Sequence, residues 1–266
     1  MGLKVGEVRL EKHNPRWQRM FAQELDELWE YFGDTAIRIS HIGSTAVDGI
    51  EAKPIIDIAV AVNDLSDFDQ VSHKFTSDPN YSIKEDFAND EILIRKGGKL
   101  NRQFYIHVMD IDSKRYKDTI FFRDTLLHNE KIRNNYRDLK HVLAKKYPNN
   151  RKKYSSSKKE FIDSVLEMEW SKTTLIPLSI IAGISLCTFL AALYVQLTVP
   201  LGTKILNAVY VSNISRIGLC LGVIFFVFAS VSSGILLHRF FKAKTIYDAV
   251  VTKTQKEITK ESHQKK

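Results

Sequence analysis

The residues best suited to chemistry lie in two neighbouring stretches, Ser40-His41-Ile42-Gly43-Ser44-Thr45-Ala46-Val47 and Lys53-Pro54-Ile55-Ile56-Asp57-Ile58. A strand that ends in Gly-Ser and turns into a helix presents free backbone N–H groups and a hydroxyl to an anion, and the helix dipole adds to the attraction. Phosphate is the natural guest of such a turn. Gly-Ser pairs also make ordinary turns, so the reading rests on Asp57, which stands inside an otherwise apolar run. A carboxylate there is costly unless a metal, a cation or hydrogen-bond donors satisfy it. Beside a phosphate site it could hold Mg²⁺ bridging to the phosphate oxygens; the alternative is a buried salt bridge with Lys53 or an arginine.

Three cations extend this group. Lys53, Arg102 and Arg123 are of the types that answer a multiply charged phosphate or carboxylate. Each has a plainer alternative as a salt-bridge partner, Arg123 for instance with Asp124 or Glu130. His41 either donates to a phosphate or orients the Gly-Ser turn.

The elements that must position these residues follow from periodicity. Residues 5–10 alternate enough for a first strand. Asn14-Pro15 then opens a helix with apolar residues at Trp17, Phe21, Leu25, Leu28 and Phe32, stopped by Gly33. Residues 36–42 read as a short strand and 55–62 as a β-branched run buried on both faces. A helix is expected over 67–75, strands over 91–95 and 103–110 around the turn Gly97-Gly98, and helix from 116 to 147. Phe161, Val165 and Met168 continue a last helix that leads toward the apolar rear. Strands and helices mixed in this order indicate an α/β or α+β domain with a small mixed sheet.

The rear of the chain is different in kind. Residues 173–203 and 217–237 contain no Asp, Glu, Lys, Arg or His, and each run exceeds the roughly 20 residues a helix needs to span a bilayer. The expected organisation is a domain over 1–170, an all-α two-helix transmembrane hairpin over 173–238 and a basic tail over 239–266. Lys158, Lys159 and Lys172 flank the first run and Arg239, Lys242 and Lys244 the second, while Lys204 and Arg216 lie in the connection. The positive-inside rule then puts both termini in the cytoplasm, with Trp170 and Tyr210 at the interfaces. The N-terminal stretch, polar and interrupted by Pro15, lacks the pattern of a secretory signal. The net charge of +8, concentrated at 140–159 and 242–266, fits an anionic leaflet better than nucleic acid, for which no basic-aromatic motif is present. Cys187 and Cys220, both in the apolar runs, form neither a disulfide framework nor a thiol zinc site. Gly183, Ser185, Gly222, Ser230, Ser232, Ser233 and Gly234 permit close packing, within one hairpin or as a homo-oligomer. No intramembrane charge marks an ion path. In the tail, Ala243, Ile246, Val250 and Ile258 are spaced for a helix, with a frayed end beyond about 252 as the alternative.

The residues 41–47 and 53–58 together resemble the signature of the GrpB family, a branch of the nucleotidyltransferase superfamily. The likeness continues through Arg102, His107-Val108, Phe122-Arg123-Asp124, Tyr136, Leu139-Lys140, Tyr154, Lys158 and Phe161-Ile162, and covers residues 5–168 but not the apolar hairpin. The resemblance implies a nucleotidyltransferase-like fold in which Gly43 and Ser44, with His41, Thr45 and Arg123 nearby, seat nucleotide phosphates. It implies Asp57, Lys53 and Arg102 as the catalytic group and Mg²⁺ or Mn²⁺ as the cofactor. The superfamily pairs its first acid with a second two residues on; here that place is held by Ala59. His107 falls where a third acid is expected, and an imidazole there suits Mn²⁺ or a transition metal better than Mg²⁺, or is a hydrogen-bonded structural residue. Asp110 is a further candidate. The function implied is a membrane-anchored, metal-dependent nucleotidyltransferase with an unidentified acceptor. The alternative is a nucleotide- or phosphate-binding module without turnover, with the hairpin as its anchor, effector or pore.

Overall fold

The computed structural model describes residues 2–84, 90–198 and 207–264. They divide into two compact units, one built from the chain up to Ile162 together with the stretch from Asp248 on, the other from Asp163 to Tyr247.

In the first unit, among the described residues, five strands form one mixed sheet, β1 (Arg38–Ile42), β2 (Ile56–Val62), β3 (Tyr81–Lys84), β4 (Ile92–Lys96) and β5 (Phe104–Asp110), in the order β1-β2-β5-β4-β3. Only β2 and β5 run parallel, with Asp57 opposite Tyr105 and Ala59 opposite His107. This is the mixed α/β sheet that the sequence pattern predicts.

Because side chains alternate across a strand, the two faces of this sheet have different fates. Ile39, Ile56, Ile58, Val60, Ile94, Ile106 and Val108 point to one side. They are covered by helix α1 (Arg16–Phe32) through Trp17, Phe21, Leu28 and Phe32. Gly33, with φ of +53°, ends that helix as expected. A polar clasp adds to the apolar contact: Lys96 Nζ lies 2.7 Å from Glu24 Oε2, and the Tyr81 hydroxyl donates to Glu24 Oε1 at 2.8 Å.

On the opposite face, Ile42, Ala59, Ala61 and Met109 pack against Tyr116 and Ile120 of α3 (Lys114–His128). Small residues on β2 let that helix approach closely. The rest of this face, carrying Asp57, Tyr105, His107, Leu93 and Arg95, is left as the floor of a cleft. Its walls come from the N-terminal segment, α4 (Glu130–Lys146), α5 (Arg151–Ser156) and Lys158.

Several expected elements differ. Residues 5–10 are not a strand: Gly6, at φ of +92°, turns the chain. The segment is instead stapled by single bridges, Leu3 to Arg102 and Glu11 to Ala52. The helix expected over 67–75 is a 3-10 segment (Leu65–Gln70) followed by the short α2 (Ser72–Ser77). The long run from 116 to 147 is two helices, because Asn129 leaves helical geometry and its side chain caps α4 by accepting from Ile132 N at 3.1 Å. Periodicity missed β3 and α5.

Helix α6 (Lys159–Thr198) passes the expected boundary at 170 without a break, and α7 (Asn207–Gln264) stays helical beyond 252. Both contain a stretch long and apolar enough, by length and composition, to cross a membrane. In the second unit Ile176, Ile180, Ile184 and Leu190 of α6 and Ile224, Phe225 and Phe228 of α7 are exposed, and so is Cys187. Lys204 lies outside the described residues, as do the side chains of Tyr210, Arg216, Cys220 and Gly222. The last turns of α7 pack on α4 within the first unit, where Gln255 Nε2 donates to Asp138 Oδ2 at 3.1 Å and Lys145 pairs with Glu261.

Candidate functional site

The cleft encloses roughly 760 Å³ and brings Gly43, Ser44, Thr45, Lys53, Asp57, Arg102 and His107 to one place. Its composition is lopsided. Among the described residues, eight lysines and arginines line it against one carboxylate, Asp57.

Gly43 ends β1 with φ of +70° and leads into a three-residue 3-10 turn, Ser44–Ala46. The helix expected after Gly-Ser is thus a single turn. Its N–H groups at Ala46 and Val47 are spent on Gly43 O and Ser44 O, so a helix dipole contributes little here. His41 faces away from the cleft, stacked on Phe21 at 4.8 Å between ring centroids. One ring nitrogen lies 2.9 Å from Thr45 Oγ1 and the other 3.2 Å from Gln18 Oε1. Burial pushes its pKa down to about 4, so it is a neutral residue that ties α1 to the Gly-Ser turn. Arg123 also lies off the cleft. It donates to His41 O at 3.1 Å and pairs with Asp124 at 2.7 Å, bracing α3 against the end of β1.

Asp57 faces His107, whose Nε2 is 3.7 Å from Asp57 Oδ1. The other ring nitrogen of His107 is 3.2 Å from Glu91 Oε2, which also accepts from Arg115 Nε at 3.0 Å. Burial, the largest influence, opposes charge on His107, but the two carboxylates outweigh it and raise its pKa to about 9. An imidazolium so held must first give up a proton to bind a metal. With Ala59 supplying no ligand, no cluster of three or more His, Cys, Asp or Glu side chains suited to a metal occurs among the described residues. Among the described residues the donor set lacks the second acid of a two-metal clamp. Asp110 caps the turn into α3, accepting from Asp112 N at 2.6 Å.

The chain's relatives lie in the same region. The sequence model of the GrpB protein family matches residues 7–168. The chain belongs to the GrpB family. The glutamate-rich protein GrpB of Alkalihalophilus pseudofirmus is 35% identical over 174 residues, covering 62% of this chain and 98% of that protein. UPF0157 protein YqkA of Bacillus subtilis is 28% identical over 62% of this chain; the match spans 48% of YqkA, about half its length. The crystal structure of the conserved protein GrpB from Enterococcus faecalis superposes with a TM-score of 0.54 at 28% identity, covering 59% of this chain and 94% of that one. The family match ends at 168, ahead of the apolar runs.

Within this GrpB domain the structure adds residues that the motif alone does not assign. Lys140 and Lys158 reach the cleft from α4 and the start of the α6 region, and Tyr136 and Tyr154 form the surface they rest on. Arg151 is held by Lys4 O, Glu7 O and the Tyr105 hydroxyl. Lys140 had a legible signal. The buried stripe of α4 runs Ile132, Tyr136, Leu139, Lys140, Leu143, and a lysine on an apolar stripe needs a reason to be there.

Arg102 is the most telling side chain. It is 6% exposed, lines the cleft, and its Nε and one terminal nitrogen have no hydrogen-bond partner. A buried guanidinium with idle donors costs free energy that an anion would recover.

Proposed function

We propose that the GrpB domain of this chain binds a nucleotide or another phosphorylated small molecule in the cleft, and that the two apolar helices hold the domain at a membrane. The observation that carries this reading is Arg102, buried with two nitrogens unpartnered in a cleft whose other cations also outnumber its carboxylates. Phosphate oxygens, acceptor-only and multiply charged, complement such a set. The reading is tested by calorimetric titration of the full chain in detergent micelles with nucleoside mono-, di- and triphosphates. Saturable binding that weakens with salt is expected. Absence of binding to all of them removes the reading.

A second reading, transfer of a nucleotidyl group to an unidentified acceptor, is favoured by the Asp57 carboxylate lying against Gly43 of the Gly-Ser turn. Pyrophosphate release during the same titration, with Mg²⁺ or Mn²⁺ added, separates it from binding alone. For the rear of the chain, the exposed apolar faces of α6 and α7 support a two-pass hairpin, since stripes of this extent are costly in water, and the lysines and arginines at its outer ends support cytoplasmic termini. The small residues along the spans leave room for self-association.

A further inference from the structure

Sites that take linked phosphates commonly rely on a divalent cation to offset the charge that accumulates on the phosphate oxygens. Among the described residues of this cleft the acidic side of such a site is reduced to one carboxylate, Asp57, facing His107, with Ala59 two residues on in the strand. The basic side is enlarged instead. Lys53 Nζ stands 5.4 Å and Lys158 Nζ 4.8 Å from the centroid of the Tyr154 ring; Lys140 Nζ stands 5.1 Å and Lys158 Nζ 6.0 Å from that of Tyr136. Three ammonium groups thus converge on two tyrosine faces. Lys140 donates to the backbone carbonyl of Glu51, whose carboxylate pairs with His141. Across the cleft Arg102 adds a fourth cation, with idle donors.

Resting on the phosphate-binding reading above, we propose that the cleft takes a compound with two or more linked phosphates without a divalent metal, Lys53, Lys140, Lys158 and Arg102 providing the positive charge a metal would otherwise supply. A single phosphate brings at most two negative charges to these four cations, whereas a diphosphate or triphosphate matches them. Burial and the repulsion of Lys158 hold both Lys53 and Lys140 near 7, as expected of a lysine cluster whose counter-charge arrives with a ligand.

The test is titration of the full chain in detergent micelles with orthophosphate, pyrophosphate and tripolyphosphate, each in EDTA and in excess Mg²⁺. Pyrophosphate and tripolyphosphate are expected to bind in EDTA at least tenfold more tightly than orthophosphate, with no gain from Mg²⁺. Lys158→Met is expected to weaken pyrophosphate at least tenfold, and Lys158→Arg to restore most of it, which distinguishes lost charge from lost folding. Pyrophosphate binding that requires Mg²⁺ overturns the metal-free proposal and leaves the phosphate reading intact, as does equal affinity for all three anions. No binding of these anions or of nucleotides in either condition overturns both.

Discussion

Gly43 and Asp57 touch so closely that a side chain at position 43 has no room: an added Cβ would lie 2.6 Å from Asp57 Oδ2 and 3.1 Å from its Cβ. Gly43 also sits at φ of +70°, a region costly for other residues. Gly43→Ala is therefore expected to destabilise the domain by about 1–3 kcal/mol and to push Asp57 out of place. Thermal unfolding gives the first effect and phosphate titration the second. In an Asp57→Ala background the contact with the carboxylate is gone and only the one with Cβ remains, so the same substitution should cost less. Equal costs in both backgrounds would show that the contact is not what fixes glycine here.

Arg102 invites a different expectation, because it lies buried with unmatched donors. Its backbone holds the N-terminal segment through Leu3, and a substitution leaves that bridge in place. Arg102→Met should thus leave the unliganded domain as stable or somewhat more stable, since an unpaired buried cation is replaced by an apolar side chain of similar length. Affinity for pyrophosphate should fall by about tenfold or more, as a charged hydrogen bond contributes roughly 1.5–3 kcal/mol. A large drop in melting temperature would assign Arg102 to the fold rather than to a ligand.

Binding should also depend on pH with a definite sign. Lys53 and Lys140, lowered to about 7 by burial and by their lysine neighbours, carry charge below that pH and lose it above. The terminal phosphate of a nucleoside triphosphate, close to a phosphate monoester in its last ionisation, is already ionised above about pH 7, so with that ligand the trend from pH 7.5 to 9 belongs to the protein. Affinity for a nucleoside triphosphate is expected to fall there by about tenfold per pH unit for each of the two lysines that takes up a proton on binding. Loss of charge from His107 near the upper end acts in the same direction. Calorimetry in buffers of different ionisation enthalpy measures the proton uptake directly, and a flat profile would remove these lysines from the site.

His107 makes an opposite contribution to stability. Its folded pKa, about 9, lies above the ordinary 6.5 because Asp57 and Glu91 overcome the effect of burial. The folded state binds the proton more tightly, so this stabilisation is complete below pH 6.5 and is lost as pH rises through about 9. It is on the order of 3 kcal/mol. His107→Gln should remove it at neutral pH and flatten the alkaline limb of the stability curve measured by urea unfolding. An unchanged alkaline limb would mean that the ion pairs with Asp57 and Glu91 contribute nothing.

What the sequence discloses depends on the range of the interaction. Phe21, Leu28 and Phe32 recur at helical spacing, and β2 is apolar throughout except at Asp57, so α1 and the central strands are legible from local pattern. Asp57 stands out because it breaks that pattern. Arg123 and His41 look equally eligible in sequence, yet their partners are Asp124, the β1 backbone, Thr45 and Gln18, contacts that depend on which face each side chain takes. The helix expected after Ser44 shrank to one 3-10 turn because Val47 is already extended. Lys140 and Lys158 join Lys53 only through the packing of segments 87 and 105 residues further along the chain, which no local spacing records.

The apolar rear allows a prediction of topology. Along α6 and α7 the side chains that would be buried in a soluble helix are exposed, among them Ile180, Ile184, Phe225 and Phe228. Lysine and arginine crowd the outer ends of the two runs and are sparse in the connection. From that asymmetry a hairpin with both ends in the cytoplasm is the expected outcome. The Cys187→Ser, Cys220→Ser chain, with one new cysteine from Lys204→Cys, should be labelled by an impermeant maleimide from the side opposite the cytoplasm. A second reporter, Lys253→Cys in the same background, should react only after the membrane is opened. Labelling of position 204 from the cytoplasmic side would overturn the topology. Extraction of the chain by carbonate, without detergent, would show that the two helices do not span at all.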